Sequence, residues 1–276
     1  MRFKLMRYLI CGLLALPFTS CFPARPLQEK APLVQAAVIR EIPPAASPTP
    51  VPPQLTVREI SGITFEGVTF DSRSHRLVVA DQANGPASSF ADSTAAARAV
   101  GGIAAVNAGF FTPEGDPLGL VVAAGKISGS WNTASSLGSG AWYENRSGQS
   151  AIARRGALKR AEASAMRELI QAGPLLVENH RAVSGLEATK PSVRIVILWD
   201  GGTRWWIGRG SPCTLAALAQ ALASGTPVGW PVRHALNLDG GRSADLWISE
   251  SVSGGPLLRR APWNRPVRNF LVLVAK

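Results

Sequence analysis

Beyond residue 54 the chain alternates apolar and polar positions in short runs. LTVREI, GITFEGVTF and HRLVVAD carry the alternations Ile63/Phe65, Val68/Phe70 and Leu77/Val79, and this period of two predicts three β-strands joined as a meander. Ser93-Thr94 is expected to cap a short Ala-rich helix reaching about Val100, with Gly101-Gly102 ending it, and IAAVN reads as an apolar strand that terminates at Asn107. Further strand-like runs are LGLVVAA, GAWYE, PLLVE, RIVILWD, RWWIG, ADLWI and NFLVLVA. Two clearer helices are expected, from Lys159 to about Ala172 and over SPCTLAALAQALASG. In the second, Ser211 can cap, Leu215, Leu218, Ala219 and Leu222 share a face, and Gly225 can supply a left-handed stop. The pattern gives an α+β fold: one domain over 55–276 with a mixed, mostly antiparallel sheet, a few packed helices and no internal repeat.

The first 54 residues follow different rules. MRFKLMRYLICGLLALPFTS places Arg2, Lys4 and Arg7 before an apolar run from Tyr8 to Leu16, which is the make-up of a signal peptide over 1–20 and too short for a permanent span. Phe18-Thr19-Ser20-Cys21 resembles a bacterial lipobox, which makes Cys21 the expected lipidation site; ordinary cleavage nearby with Cys21 spare is the other reading. Residues 22–53 hold nine of the 21 prolines, so 21–54 is expected to be a lipidated Cys followed by a semi-extended tether. The expected location is therefore the periplasm or cell envelope, with the membrane as a partner through the lipid anchor. Cys11 leaves with the signal and Cys21 carries lipid, so Cys213 stands alone and the domain must rest on its core.

The net charge is +11, and losing the three cations Arg2, Lys4 and Arg7 leaves +8. Such a balance favours anionic partners. The arginines are scattered, with neither a basic helix nor an aromatic platform for single strands, so nucleic acid is not an expected partner.

Four apolar strands end in glycine or proline: VNAGFF, DPLGLVV, AGPLLV and LNLDGGRS. A tight turn explains any one of these, but four together suggest the walls of a pocket, with Gly109, Gly119, Gly173, Gly240 and Gly241 allowing close approach of a ligand. In HALNLD the period of two sets Ala235, Asn237 and Asp239 on one face and His234, Leu236 and Leu238 on the other. His234 and Asp239 thus point apart, which disfavours a Ser243/His234/Asp239 triad, and no Gly-x-Ser-x-Gly elbow is present. Gly-Gly-Arg-Ser lacks the Lys of a phosphate-cradling loop and precedes a strand. Three scattered histidines without a Cys pair do not make a zinc cluster, and His75 and His180 are expected at the surface. No metal or cofactor is expected.

Seven motifs in one order carry a resemblance: Asn-Ala-Gly-Phe-Phe, Pro-Leu-Gly-Leu, Gly125-Lys126, Ala-Gly-Pro-Leu-Leu, Ser-Val-Arg194, Leu-Asn-Leu-Asp-Gly-Gly-x-Ser, and Arg265-Pro-Val-Arg-Asn269 before a last strand. From about 103 to 274 the chain resembles the phosphodiester glycosidase family. Three positions depart from the usual family pattern: Ala108, Arg242, and the run Arg194-Ile-Val-Ile. Arg242 would crowd or recharge the pocket mouth.

The resemblance implies hydrolysis of sugar-1-phosphodiesters, with a sugar-phosphate or anionic glycan as substrate. Ordinary glycosidases need two carboxylates because an alkoxide leaving group needs a proton. A phosphate monoester leaves with little acid help, so one carboxylate with cations around it can suffice. Asp239 is the expected base or nucleophile and Asn107 the partner for sugar hydroxyls. Arg194, Arg265 and Arg242 are the candidate phosphate holders, with Ser243 beside them. The competing expectations are a glycan-binding lipoprotein without turnover, and a purely structural set in which Asp239 caps a turn and Arg265 pairs with a surface acid.

Overall fold

The strand patterns resolve into three antiparallel sheets in the computed structural model, which describes residues 49–276. The expected signal segment, Cys21 and the tether to residue 48 lie outside the described residues. The first sheet runs from edge to edge as Gln54–Ile60, Ile63–Asp71, Arg204–Cys213, Ser192–Trp199, His234–Leu238, Leu175–Glu178 and Arg181–Ala182. The second is ordered Leu257–Arg260, Asp245–Ile248, Ala104–Asn107, Asn269–Ala275 and His75–Asp81; the third is Lys126–Ser128, Val121–Ala123, Glu168–Ala172, Gly140–Glu144 and Ser150–Arg154. Every ladder between them is antiparallel. Three short helices accompany them: α1 (Ser93–Ala99), α2 (Arg160–Ser164) and α3 (Leu215–Ser224). The fold is therefore dominated by sheet rather than balanced between helix and strand, and it contains three sheets where one was expected. The described residues, 49–276, fall in one compact unit, and among them no helix is long and apolar enough to cross a membrane.

The core lies where the three sheets face one another. Val68, Phe70, Ile195 and Leu236 from the first sheet, Leu77, Val106 and Leu271 from the second, and Trp142 and Ile170 from the third form one buried cluster. The opposite face of the first sheet sends Ile63, Phe65, Val196 and Trp206 against Leu218 and Leu222 of α3. Both faces of Ile63–Asp71 are thus used, the odd positions toward α3 and the even ones toward the central core, as the alternation requires.

Four local expectations change. The first two strands make a hairpin through Ser61 and Gly62, both at positive φ, but the third leaves the meander and pairs with Asn269–Ala275 in the second sheet. Asp71 enforces that corner: its carboxylate accepts the Arg73 N–H at 2.9 Å and its carbonyl accepts the Ser74 N–H at 3.2 Å. Alternation fixes the face of a strand and leaves its partner open. The helix expected over Lys159–Ala172 stops within α2. Glu168–Ala172 is instead a strand buried at all five positions, and a strand covered on both faces shows no alternation to betray it. Its polar residues are held in place: Glu168 Oε2 accepts the Val79 N–H at 3.0 Å, and the Gln171 amide accepts from Leu120 and Asn132 and donates to Asn132 and Gly138.

Helix capping also differs. Thr214 caps α3 through a bond to the Ala217 N–H, Ser211 belongs to the preceding strand, and Gly225 is extended at φ −117°. Asp92, not Ser93-Thr94, caps α1, with Gly101 beyond its end at φ +68°. Ser93 is buried, and its hydroxyl donates to Asp245 at 2.7 Å. Of the histidines expected at the surface, His180 is exposed and His75 is half-buried beside Ser74.

Candidate active site

His234–Leu238 is an inner strand of the first sheet, and its last residues hand the chain to the second sheet through Asp239-Gly240, a turn at Gly241–Ser243 and the strand Asp245–Ile248. Two glycines make this crossing feasible. A Cβ on Gly240 would lie 2.5 Å from the Val193 carbonyl oxygen, and Gly241 has φ +59°. The strand Ala104–Asn107 ends beside the crossing. Asn107 is fully buried; its Nδ2 donates to the Asp239 carbonyl at 2.6 Å and its Oδ1 accepts the Asp245 N–H at 2.9 Å. Asp239 also donates its own N–H to the Ala108 carbonyl at 2.8 Å. Both backbone groups of Asp239 are thereby fixed before any ligand arrives.

The Asp239 carboxylate receives hydrogen bonds from the Ser243 hydroxyl and the Gly240 N–H, and it feels the charge of Arg265. Burial opposes all three and wins, pushing its pKa up to about 6. A cavity of about 200 Å³ opens over it, lined by Phe110, Phe111, Asp239, Gly240, Arg242, Ser243 and Arg265. Two aromatic rings thus wall a carboxylate with an elevated pKa, while two exposed arginines stand at the same opening. Neither guanidinium has an ion-pair partner among the described residues. Arg265 therefore does not pair with a surface acid, and its backbone N–H donates to the Arg242 carbonyl at 3.0 Å, which links the two arginine segments.

The remaining candidates are placed elsewhere. Arg194 sends its guanidinium to the Cys213 carbonyl at 3.1 Å and the Lys190 carbonyl at 2.9 Å, with Glu187 3.8 Å away. It does not line the cavity. Gly109 packs on the Asn269 side chain, Gly119 on the Gln171 backbone and Gly173 on the Ser136 carbonyl. None of these three lines the cavity. Cys213 is free and buried, and burial pushes its thiol pKa up to about 11, so it is an inert core residue.

Three contributors went unassigned in the sequence. Phe110 and Phe111 appear there as part of a motif, without a role. Asn269, fully buried, accepts the Gly109 N–H through Oδ1 at 2.7 Å and the Ala108 N–H through its carbonyl at 3.1 Å, holding the segment that in turn holds Asp239. A buried Asn at the start of an apolar strand was the available signal, since such a residue must find partners.

A larger hollow of about 470 Å³ lies near Arg154, Glu178 and Arg181, but Arg154 and Glu178 there neutralise each other in a two-pronged ion pair. Among the described residues no group of three or more His, Cys, Asp or Glu is placed to hold a metal ion. What the Asp239 cavity can do is bind an anion between two guanidinium groups and present one carboxylate, ionised above about pH 6, to an adjacent electrophilic carbon.

Solved structures share this architecture. The chain is similar to the catalytic domain of the zebrafish N-acetylglucosamine-1-phosphodiester alpha-N-acetylglucosaminidase auto-inhibited by its pro-peptide, at 17% identity and TM-score 0.57, over 83% of this chain and 84% of that one. It is similar also to a hypothetical protein from Synechocystis, at 19% identity and TM-score 0.54, over 84% and 65%. A protein of Burkholderia pseudomallei K96243 described as exported matches at 13% identity and TM-score 0.53, over 77% and 74%. At these identities the likeness is one of fold. No curated protein sequence matches significantly. The family profile described as phosphodiester glycosidase matches residues 101–274, well over half of the chain and the whole of the Asp239 site, and on this the chain belongs to the phosphodiester glycosidase family.

Proposed function

We propose that the domain hydrolyses the glycosidic bond of sugar-1-phosphodiesters in envelope or exopolysaccharide glycans, working as an exported protein anchored through lipid on Cys21. The observation that supports this reading best is that Asp239, the one carboxylate lining its small cavity and one whose pKa burial raises, shares that cavity with Arg242 and Arg265. The arginines hold the phosphate, which keeps its charge at every relevant pH, and neutralise the monoester as the C1–O bond breaks. Asp239, ionised at neutral pH, stabilises the oxocarbenium-like carbon as nucleophile or directs water to it as base. Water adds to C1, and the products are the free sugar and a phosphate monoester. Asn107 and Asn269 keep Asp239 in place and do not touch the sugar.

The name of the zebrafish protein specifies an N-acetylglucosamine-1-phosphodiester, which makes that compound the first to try. Incubating the full chain with a panel of sugar-1-phosphodiesters tests the reading. Free sugar supports it, and sugar phosphate indicates a phosphodiesterase instead. Binding without products would favour the glycan-binding alternative, in which the exposed Arg242 beside Asp239 serves retention rather than turnover.

A further inference from the structure

Two residues of the run Arg265-Pro-Val-Arg-Asn269 serve the Asp239 site directly: Arg265 lines its cavity, and Asn269 accepts the Ala108 and Gly109 N–H groups. Arg268, between them, is buried, which is a costly place for a charge. Its Nε and Nη2 donate to the two carboxylate oxygens of Asp81 at 3.0 and 3.2 Å, and the Ser128 hydroxyl donates to the same carboxylate at 2.8 Å. Its third arm, Nη1, donates to the Gly115 carbonyl at 3.1 Å. Gly115 is the tip of a small hairpin that starts at the aromatic wall of the cavity. From Phe110 and Phe111, which line that cavity, the chain turns and comes back: the Leu118 N–H donates to the Phe110 carbonyl at 2.9 Å, the Thr112 N–H to the Asp116 carbonyl at 2.8 Å and the Gly115 N–H to the Thr112 carbonyl at 2.9 Å. The tip is also fitted closely to Pro86. A Cβ on Gly115 would lie 2.5 Å from the Pro86 ring, and its φ is +95°.

We propose that Arg268 is a positioning residue of the active site, which fixes through Gly115 the hairpin that sets Phe110 and Phe111 against the substrate. The consequence for substrate rests on the reading of the Asp239 cavity as a sugar-1-phosphodiester site; the brace itself does not. Apolar residues in place of a buried ion pair are often neutral or stabilising, so stability alone does not account for Arg268. What an apolar residue cannot supply is a donor for the Gly115 carbonyl. The two rings offer apolar contact to substrate and transition state alike, so a loosened wall raises KM and leaves kcat nearly untouched.

The test compares full-chain wild type with Arg268→Lys, the double variant Arg268→Met/Asp81→Leu, and Thr214→Ala. The lysine keeps a charge beside Asp81, but its single ammonium cannot fork to Gly115 as well. The double variant leaves no lone charge buried, which guards against loss of the fold. Thr214→Ala removes the cap of α3 and lowers stability without touching the hairpin. Amide hydrogen exchange over residues 110–118 is measured, with kcat, KM and Kd for the methyl phosphodiester of N-acetylglucosamine 1-phosphate. Both Arg268 variants are expected to exchange at least roughly tenfold faster there and to raise KM by roughly three- to tenfold, with kcat within about twofold. Thr214→Ala should match the wild type in hairpin exchange and KM. Unchanged exchange in the Arg268 variants, or an equal rise in Thr214→Ala, would overturn the brace, and faster exchange with unchanged KM would overturn the positioning role. A wild type that binds the probe and leaves it uncleaved overturns the hydrolase reading while exchange and Kd still decide for Arg268; one that does not bind it overturns both.

Discussion

Asn107, the last residue of a second-sheet strand, and Asp239, just past the end of a first-sheet strand, are joined by a 2.6 Å hydrogen bond from the Asn107 side-chain amide to the Asp239 backbone carbonyl, and the Asp239 N–H returns to the Ala108 carbonyl at 2.8 Å. The residue expected to meet sugar hydroxyls braces the backbone of the residue expected to do the chemistry. Its position at the end of an apolar strand could be read in the sequence; its use by a turn 132 residues further on could not.

Removing the brace should cost both stability and rate. Asn107→Ala leaves the part-buried Asp239 carbonyl and the buried Asp245 N–H each short of a partner, a loss of roughly 2–4 kcal/mol. In urea denaturation the midpoint should fall accordingly. In the folded fraction kcat should drop while KM changes little, because the residue positions Asp239 and does not touch substrate. A KM effect without a kcat effect would return Asn107 to the sugar-binding role.

Two of the three arginines named together in the sequence, Arg265 and Arg194, should now behave differently. Arg265→Lys keeps the charge but loses the planar fork at the cavity mouth and should lower kcat/KM by roughly tenfold to a hundredfold. Arg194→Lys loses bonds to the Cys213 and Lys190 carbonyls and should reduce stability by about 1–2 kcal/mol, with kcat/KM within about twofold of wild type. Steady-state kinetics and melting curves on the same preparations check both.

Asp239, Gly240, Ser243, Arg242 and Arg265, which one cavity brings together, were legible because they fall in motifs whose order can be read along the sequence. Arg194, expected beside the phosphate, stands apart from the cavity for a geometric reason. Along Ser192–Trp199 the even positions Val196 and Leu198 face α3, and the Arg194 side chain follows them to that side. Its backbone adjoins Gly240 and its charge does not. The sheets' partners were hidden for a similar reason. Leu77 and Val79 announce a buried face, but nothing local says that the strand pairs with Asn269–Ala275 across most of the chain. Glu168–Ala172 was hidden by burial on both faces.

The pH behaviour of Asp239 has a definite sign. Its folded pKa of about 6 lies above the ordinary 3.8, so the folded state holds more protons between those values and stability falls as pH rises through that window. The penalty is fully present above about pH 6 and absent below about pH 4. The gap corresponds to at most about 3 kcal/mol. Asp239→Asn should therefore match or exceed the wild type in stability at pH 7.5 and lose that advantage by pH 4, as followed by denaturant midpoints. Over the same range wild-type kcat/KM should rise to a plateau above about pH 6, because the ionised carboxylate is the active form. An activity that falls through pH 6 would make Asp239 a general acid instead.

The central claim is that water attacks the sugar carbon with the help of Asp239. Its most direct test is cleavage of a sugar-1-phosphodiester by the full chain in ¹⁸O-labelled water, with the phosphate product read by ³¹P spectroscopy and the Asp239→Asn variant run alongside. The account predicts a phosphate monoester free of solvent ¹⁸O, and a rate at least roughly a hundredfold lower in the folded Asn variant. Solvent ¹⁸O in the phosphate, or an Asn variant as fast as the wild type, would contradict it.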